Sequence, residues 1–171
     1  MAKKKRVLFI IAPKDFRGDE LTIPKQKLEE EGIETVVAST TKDRVTGLLG
    51  SQIEPDLLVS EANPDDYDYI VVVGGTGATK LANNVEVLKL VSKAKNVGAI
   101  CLGTVVAAKA GVLDGKDATT FETPETLKTL KMCGAHYVEE DVVIDGTTIT
   151  ASGPDATREF AMKLVKLVKN L

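Results

Sequence analysis

Cysteine and histidine are scarce in this chain, and their scarcity narrows its chemistry. Two cysteines, Cys101 and Cys133, cannot make a disulfide framework, so a reducing cytoplasm is the expected compartment. A single histidine, His136, with no Cys/His cluster around it, argues against an ordinary zinc site. No metal and no cofactor is expected. Long apolar runs are also missing. The stretch Val7 to Ala12 is among the longest and is far too short to span a membrane. The first residues lack the extended apolar region and small-residue cleavage site of a secretory signal. A net charge of −3 gives no pull toward nucleic acid. The basic cluster Lys3 to Arg6 leads straight into an apolar run and reads as the solvated start of a strand. There is no repeat, linker or low-complexity tract. With 43% hydrophobic and 27% charged residues, the chain is expected to be one soluble domain over residues 1–171, large enough to bury a core.

What is present alternates. Arg6 to Ala12 and Tyr69 to Val73 are continuous apolar runs, as expected of strands buried on both faces. Ile33 to Ser39 reads as another strand, and Thr46 to Ile53 as a minor strand or hairpin. Between the first two strands, Leu21, Pro24 and Leu28 share a helical face. Pro24 suggests that the regular helix begins near it, with Thr22 as a possible cap, and Gly32 ends it. Asn63 to Asp66 is a turn. Helical sequence covers Val85 to Lys95, the segment after Cys101, Pro124 to Met132, and the chain end after Ser152-Gly153-Pro154-Asp155. Ala118 to Phe121 is a candidate short strand. Asp145-Gly146, between Val142-Val143-Ile144 and Thr147 to Thr150, is the strongest local signal for a hairpin. Strands alternating with helices give a three-layer, doubly wound α/β domain. Its sheet is mainly parallel, with a late antiparallel hairpin.

In such sheets sites form at the carboxyl ends of the strands. Three segments converge there: Pro13 to Glu20, Gly74 to Gly77, and Val97 to Ala108. In the last, an apolar run ends at Cys101 and a small-residue helix follows. Ala99 and Gly103 flank the thiol at the spacing of a nucleophile elbow. A thiol at a helix N-terminus faces unpaired N–H groups, which favours thiolate. A buried core cysteine at a strand end is the competing reading. Gly74 and Gly75 allow backbone N–H groups to approach an anion closely. Gly75-Thr76-Gly77 is no dinucleotide fingerprint, because the third glycine position is Lys80. Glu20 is either an exposed acid at a helix start or a carboxyl buried near the thiol. Buried, it would hold its proton and could donate to sulfur or shuttle a proton. His136 carries no spacing that ties it to Cys101 and reads as a surface residue. Cys133 reads as filler.

These segments together, with Asn63-Pro64-Asp65-Asp66-Tyr67-Asp68 and Val142 to Thr150, resemble the ThiJ/PfpI family over nearly the whole chain. The resemblance implies a flavodoxin-like, class I glutamine-amidotransferase-like fold. It implies that Cys101 is the reactive cysteine and that Glu20 hydrogen-bonds it. Gly75 and Leu102 would supply backbone N–H groups to an oxyanion hole, and Arg17 is a possible contact for an anionic substrate or an oxidised sulfur. Homodimers or higher oligomers are usual in the family. Its members include peptidases, glyoxalases, deglycases, chaperones and oxidation-sensing stress proteins. The chain departs from the family pattern where a base is expected. The peptidase-like branch has histidine directly after the cysteine, and here it is Leu102. Another branch has histidine after a Thr-Thr pair, and here Phe121 follows Thr119-Thr120. A second acid often found three residues before Glu20 is Arg17.

Two functions follow. In one, a stress or redox-defence protein, Cys101 meets an oxidant and is converted reversibly to sulfenic acid, or further to sulfinic acid. In the other, Cys101 attacks a small reactive carbonyl in glyoxalase- or deglycase-like chemistry. The missing histidines favour the first and weigh most heavily against a PfpI-type peptidase.

Overall fold

The apolar runs form the middle of the molecule. In a computed structural model, which describes residues 3–171, Val7 to Ala12 and Tyr69 to Val73 are fully enclosed. The main sheet comprises β1 (Arg6–Ile10), β2 (Glu34–Ser39), β3 (Leu57–Leu58), β4 (Tyr69–Val72), β5 (Val97–Ile100), β6 (Val142–Asp145) and β7 (Thr148–Ala151). Its seven strands lie in the order β6-β7-β5-β4-β1-β2-β3. Every neighbouring pair is parallel except the β6–β7 hairpin. Leu8 pairs with Val36 on one side and Ile70 on the other, which places β1 in the interior of the sheet.

Helices α1 (Gly18–Glu30), α2 (Ala78–Leu81), α3 (Val85–Ser92), α4 (Gly103–Lys109), α5 (Pro124–Met132) and α6 (Thr157–Lys169) cover the sheet. α1 packs on α6, while α4 packs on α2, α3 and α5, giving the three expected layers. Phe160, Leu164 and Val168 of α6 are fully buried, whereas Leu167 is only partly so.

Several boundaries differ from the sequence expectation, and α3 ends at Ser92, short of Lys95. α1 begins at Gly18 and runs through Pro24. The one bond that proline removes, to the Glu20 carbonyl, is offset by burying Pro24 beside Leu21 and Leu28 on the same face. α2 was not foreseen, since four residues offer no periodicity to read. The hairpin loop is Gly146-Thr147 instead of Asp145-Gly146. Asp145 stays in register opposite Thr148, and its Oδ2 accepts the Asp117 N–H at 2.9 Å. The minor hairpin forms as expected, Val45–Thr46 pairing with Gln52–Ile53, but the candidate strand Ala118 to Phe121 is cut to Asp117–Ala118, which pairs with the unforeseen His136–Tyr137, and Thr119 to Phe121 run as irregular chain.

The strand-to-helix turn after β5 is tight. A side chain on Gly103 would put its Cβ 2.3 Å from the Val72 carbonyl oxygen. Only glycine lets α4 leave the sheet there, as the elbow spacing requires.

Candidate active site

Loops after β1, β4 and β5 meet at the carboxyl edge and tie to one another through backbone bonds. Arg17 N–H donates to the Gly74 carbonyl at 3.0 Å, and Gly77 N–H to the Asp15 carbonyl at 3.1 Å. At their junction sits Cys101, with a left-handed φ of 60°. That conformation is unfavourable for any residue with a Cβ and persists only where the surroundings hold it. Here they do. Cys101 N–H donates to the Ala151 carbonyl at 2.8 Å. The Cys101 carbonyl accepts from the Thr120 hydroxyl at 3.1 Å and from Thr104 N–H at 3.3 Å. The residue is 7% exposed.

Glu20, the third residue of α1, is fully buried. Its Oε1 accepts the Gly74 N–H at 3.0 Å. Its Oε2 is enclosed without a hydrogen bond of good geometry, yet the Cys101 thiol lies close enough for each group to alter the other's hold on its proton. Burial pushes the carboxyl up to about 8 from an ordinary 4.5, the Gly74 N–H opposes that, and the charge of Asp19 adds to it. Gly74 separates the two side chains. A Cβ there would lie 2.6 Å from Glu20 Oε1 and 2.7 Å from Cys101 Cβ, so the pair can approach only across a glycine.

The thiol itself departs from the helix-terminus expectation. Burial, and then the negative charge of Glu20, push it up to about 12. The Leu102 and Gly75 amides act in the opposite direction, as a hole for an anion should, but do not prevail. α4 has only seven residues and starts two positions beyond the sulfur, so its dipole adds little. In the resting protein at neutral pH both Glu20 and Cys101 therefore hold protons, and the two titrate as a coupled pair.

The remaining candidates fall outside this corner or at its edge. Arg17 precedes α1 without a capping side-chain bond and turns its Nε to Asp19 Oδ1 at 2.9 Å. His136 is exposed on its short strand, with Nδ1 3.6 Å from Asp117 Oδ1. Cys133 is half-buried at the end of α5, and both cysteines are free thiols. Among the described residues no group of three or more His, Cys, Asp or Glu is placed to hold a metal ion. Phe121, 44% exposed, lines two cavities, neither of which is lined by Cys101 or Glu20. One, of about 380 Å³, is lined by Thr120, Tyr137, Ser152 and acidic side chains including Glu139 and Asp141. The other, of about 400 Å³, is lined by Ala78, Ala82, Leu102, Val105 and Thr126 among others. The structure brings the expected Cys101, Glu20, Gly75 and Leu102 into one corner, and adds Thr120 and both cavities, which the sequence reading did not single out. The Thr119-Thr120 pair was their only written trace.

Comparison with known proteins agrees with the architecture. The pattern described as the DJ-1/PfpI family matches residues 5–167. An uncharacterized protein of Methanocaldococcus jannaschii is 44% identical over 98% of this chain and 84% of its own length. A deglycase of Pyrococcus abyssi is 34% identical, with 96% of this chain and 99% of the other covered. A glutathione-independent glyoxalase of Caenorhabditis elegans is 28% identical over 99% of this chain and 91% of its own. Among solved structures, a ThiJ/PfpI domain protein from Brachyspira murdochii superposes with a TM-score of 0.92 at 28% identity, covering 99% of both chains.

Proposed function

The chain belongs to the DJ-1/PfpI family, and on that premise we propose that it uses Cys101 as a nucleophile on small reactive carbonyl compounds, with Glu20 as acid and base. One observation carries this reading. A fully buried carboxyl lies beside the thiol, and burial pushes it up to about 8. A base poised near the working pH is what proton transfer needs. The missing histidine therefore counts less against carbonyl chemistry than the sequence alone suggested. The deglycase and glyoxalase names of the relatives point the same way.

The burial of Glu20 beside Cys101 supports this first step. The sulfur attacks the carbonyl carbon and an S–C bond forms. The thiol proton passes to the Glu20 carboxylate, and the π pair of the C=O bond moves onto oxygen. The Leu102 and Gly75 amides stabilise that oxyanion. Glu20 then returns the proton to it, leaving a neutral hemithioacetal. The step needs the ionised carboxylate, so the rate rises with pH toward and through about 8.

A second reading rests on the same corner. Hydrogen peroxide can transfer oxygen to the sulfur: an S–O bond forms, the O–O bond breaks, and water leaves with the thiol proton. The amides and Glu20 would then hold a sulfenic or sulfinic acid as a redox sensor in stress defence. Assays of methylglyoxal consumption and peroxide titration with intact mass, on the wild type and Cys101→Ala, separate the two. Turnover that disappears in the variant supports the enzyme. Oxidation at Cys101 without turnover supports the sensor, and an unreactive Cys101 sinks both. A cytoplasmic homodimer or higher homo-oligomer is proposed from the family resemblance, and light scattering tests the oligomeric state.

A further inference from the structure

We propose that Thr120 is a positioning residue for the oxyanion hole: by gripping the Cys101 carbonyl it aims the Leu102 N–H at the reacting centre. The inference rests on the reading of Cys101 as nucleophile and adds a part that reading did not need. The Cys101 carbonyl and the Leu102 N–H belong to one planar, trans unit and point in opposite directions. Whatever fixes the oxygen fixes the N–H.

The plane turns about the Cys101 Cα–C bond, in a residue already held at a left-handed φ of 60°. Such a residue does not keep its orientation by local preference. The grip comes from 19 residues away. The Thr120 side chain is fully buried, and its hydroxyl donates to the Cys101 oxygen at 3.1 Å. Phe121 N–H approaches the same oxygen at 3.5 Å, too long to replace it. Thr104 N–H, at 3.3 Å, belongs to the turn that Cys101 itself begins and moves with it.

The segment bearing Thr120 is itself anchored. Thr119 N–H donates to Thr150 Oγ1 at 2.9 Å, on the strand whose next residue, Ala151, accepts the Cys101 N–H. Beyond it, Thr126 Oγ1 donates to the Phe121 carbonyl at 2.6 Å. Both flanks of the Cys101 backbone are thus referred to β7. The Leu102 amide acts directly on the sulfur, and Glu20 is the titratable side chain that acts on it, with Asp19 and Arg17 acting on Glu20 in turn.

The test uses the full chain in a Cys133→Ser background, so that Cys101 is the only thiol. Iodoacetamide alkylation is followed from pH 6 to 10, and methylglyoxal kinetics are measured beside it. Thr120→Val keeps the shape and removes the hydroxyl, whereas Thr120→Ser keeps the hydroxyl. With the aim of the amide lost, Thr120→Val should shift the alkylation profile to higher pH and lower kcat on the order of tenfold with little change in KM. Thr120→Ser should stay within about twofold of the wild type. If Thr120→Val does not fold, Thr120→Ala carries the same comparison. A folded hydroxyl-free variant with an unmoved pH profile overturns the proposal, as does a Thr120→Ser variant as impaired as Thr120→Val. A wild-type Cys101 unreactive at every pH overturns the nucleophile reading and this inference together. A reactive wild type with an unmoved variant overturns this inference alone.

Discussion

The molecule holds its cysteines and histidine in two contrasting places. At the carboxyl edge, Cys101 and Glu20 are buried, and each shifts the other's proton affinity. Around α5, Cys133 is half-buried and His136 stands in solvent beside Asp117. A residue-type inventory would pair a cysteine with the histidine. The fold pairs the cysteine with a carboxyl instead. The environment of the thiol is set by enclosure and by the Leu102 and Gly75 backbone donors more than by any neighbouring histidine.

The contrast can be broken most directly at the sulfur. Cys101→Ala should abolish carbonyl turnover, a loss of at least about a thousandfold measured as kcat/KM, whereas Cys133→Ser should stay within about twofold. Retention of turnover in Cys101→Ala would remove the site altogether.

Glu20→Gln comes next. Removing the base should cost about a hundredfold at pH 8 and abolish the rise of rate with pH. The same substitution tests the electrostatics without activity. Glu20 binds its proton more tightly when folded, so its stabilisation is complete below the ordinary 4.5 and is lost as pH rises through about 8. Thermal melts of Glu20→Gln should therefore depend less on pH across that window, and the variant should be the more stable protein at pH 9.

Gly74→Ala sharpens the comparison through distance alone. Its Cβ would intrude on Glu20 Oε1, Cys101 Cβ and the Ile100 carbonyl oxygen, all within 2.8 Å. A melting temperature lower by several degrees and about a tenfold loss of kcat are expected, read by calorimetry and steady-state kinetics. The smallest effect belongs to the exposed region: His136→Ala should leave turnover within about twofold. A larger loss would mean that His136 reaches a thiol in another copy of the chain.

Much of this was legible before any coordinates. Apolar runs marked the buried strands, and the elbow spacing of Ala99 and Gly103 reflects real contact, since β4 leaves no room for a side chain at Gly103. What sequence could not weigh was burial against backbone donors. The position of Cys101 beside a helix start suggested thiolate, but the enclosure that raises its proton affinity comes from segments far apart in the chain. Glu20 shows the same limit from the other side: an acid in a first helical turn looks solvated until the Gly74 loop closes over it. Thr120 was invisible for a related reason. Its hydroxyl acts on a carbonyl 19 residues away, and no spacing rule connects them. Pro24 carries a local penalty that the sequence shows, whereas the buried face that offsets it exists only in the fold.

The central claim is that Cys101 and Glu20 work as one titrating unit. The most direct test is the pH dependence of Cys101 alkylation in the wild type and in Glu20→Gln. The account predicts a rise with an inflection near 8 in the wild type and its disappearance in the variant. An inflection at the same pH in both proteins would contradict it.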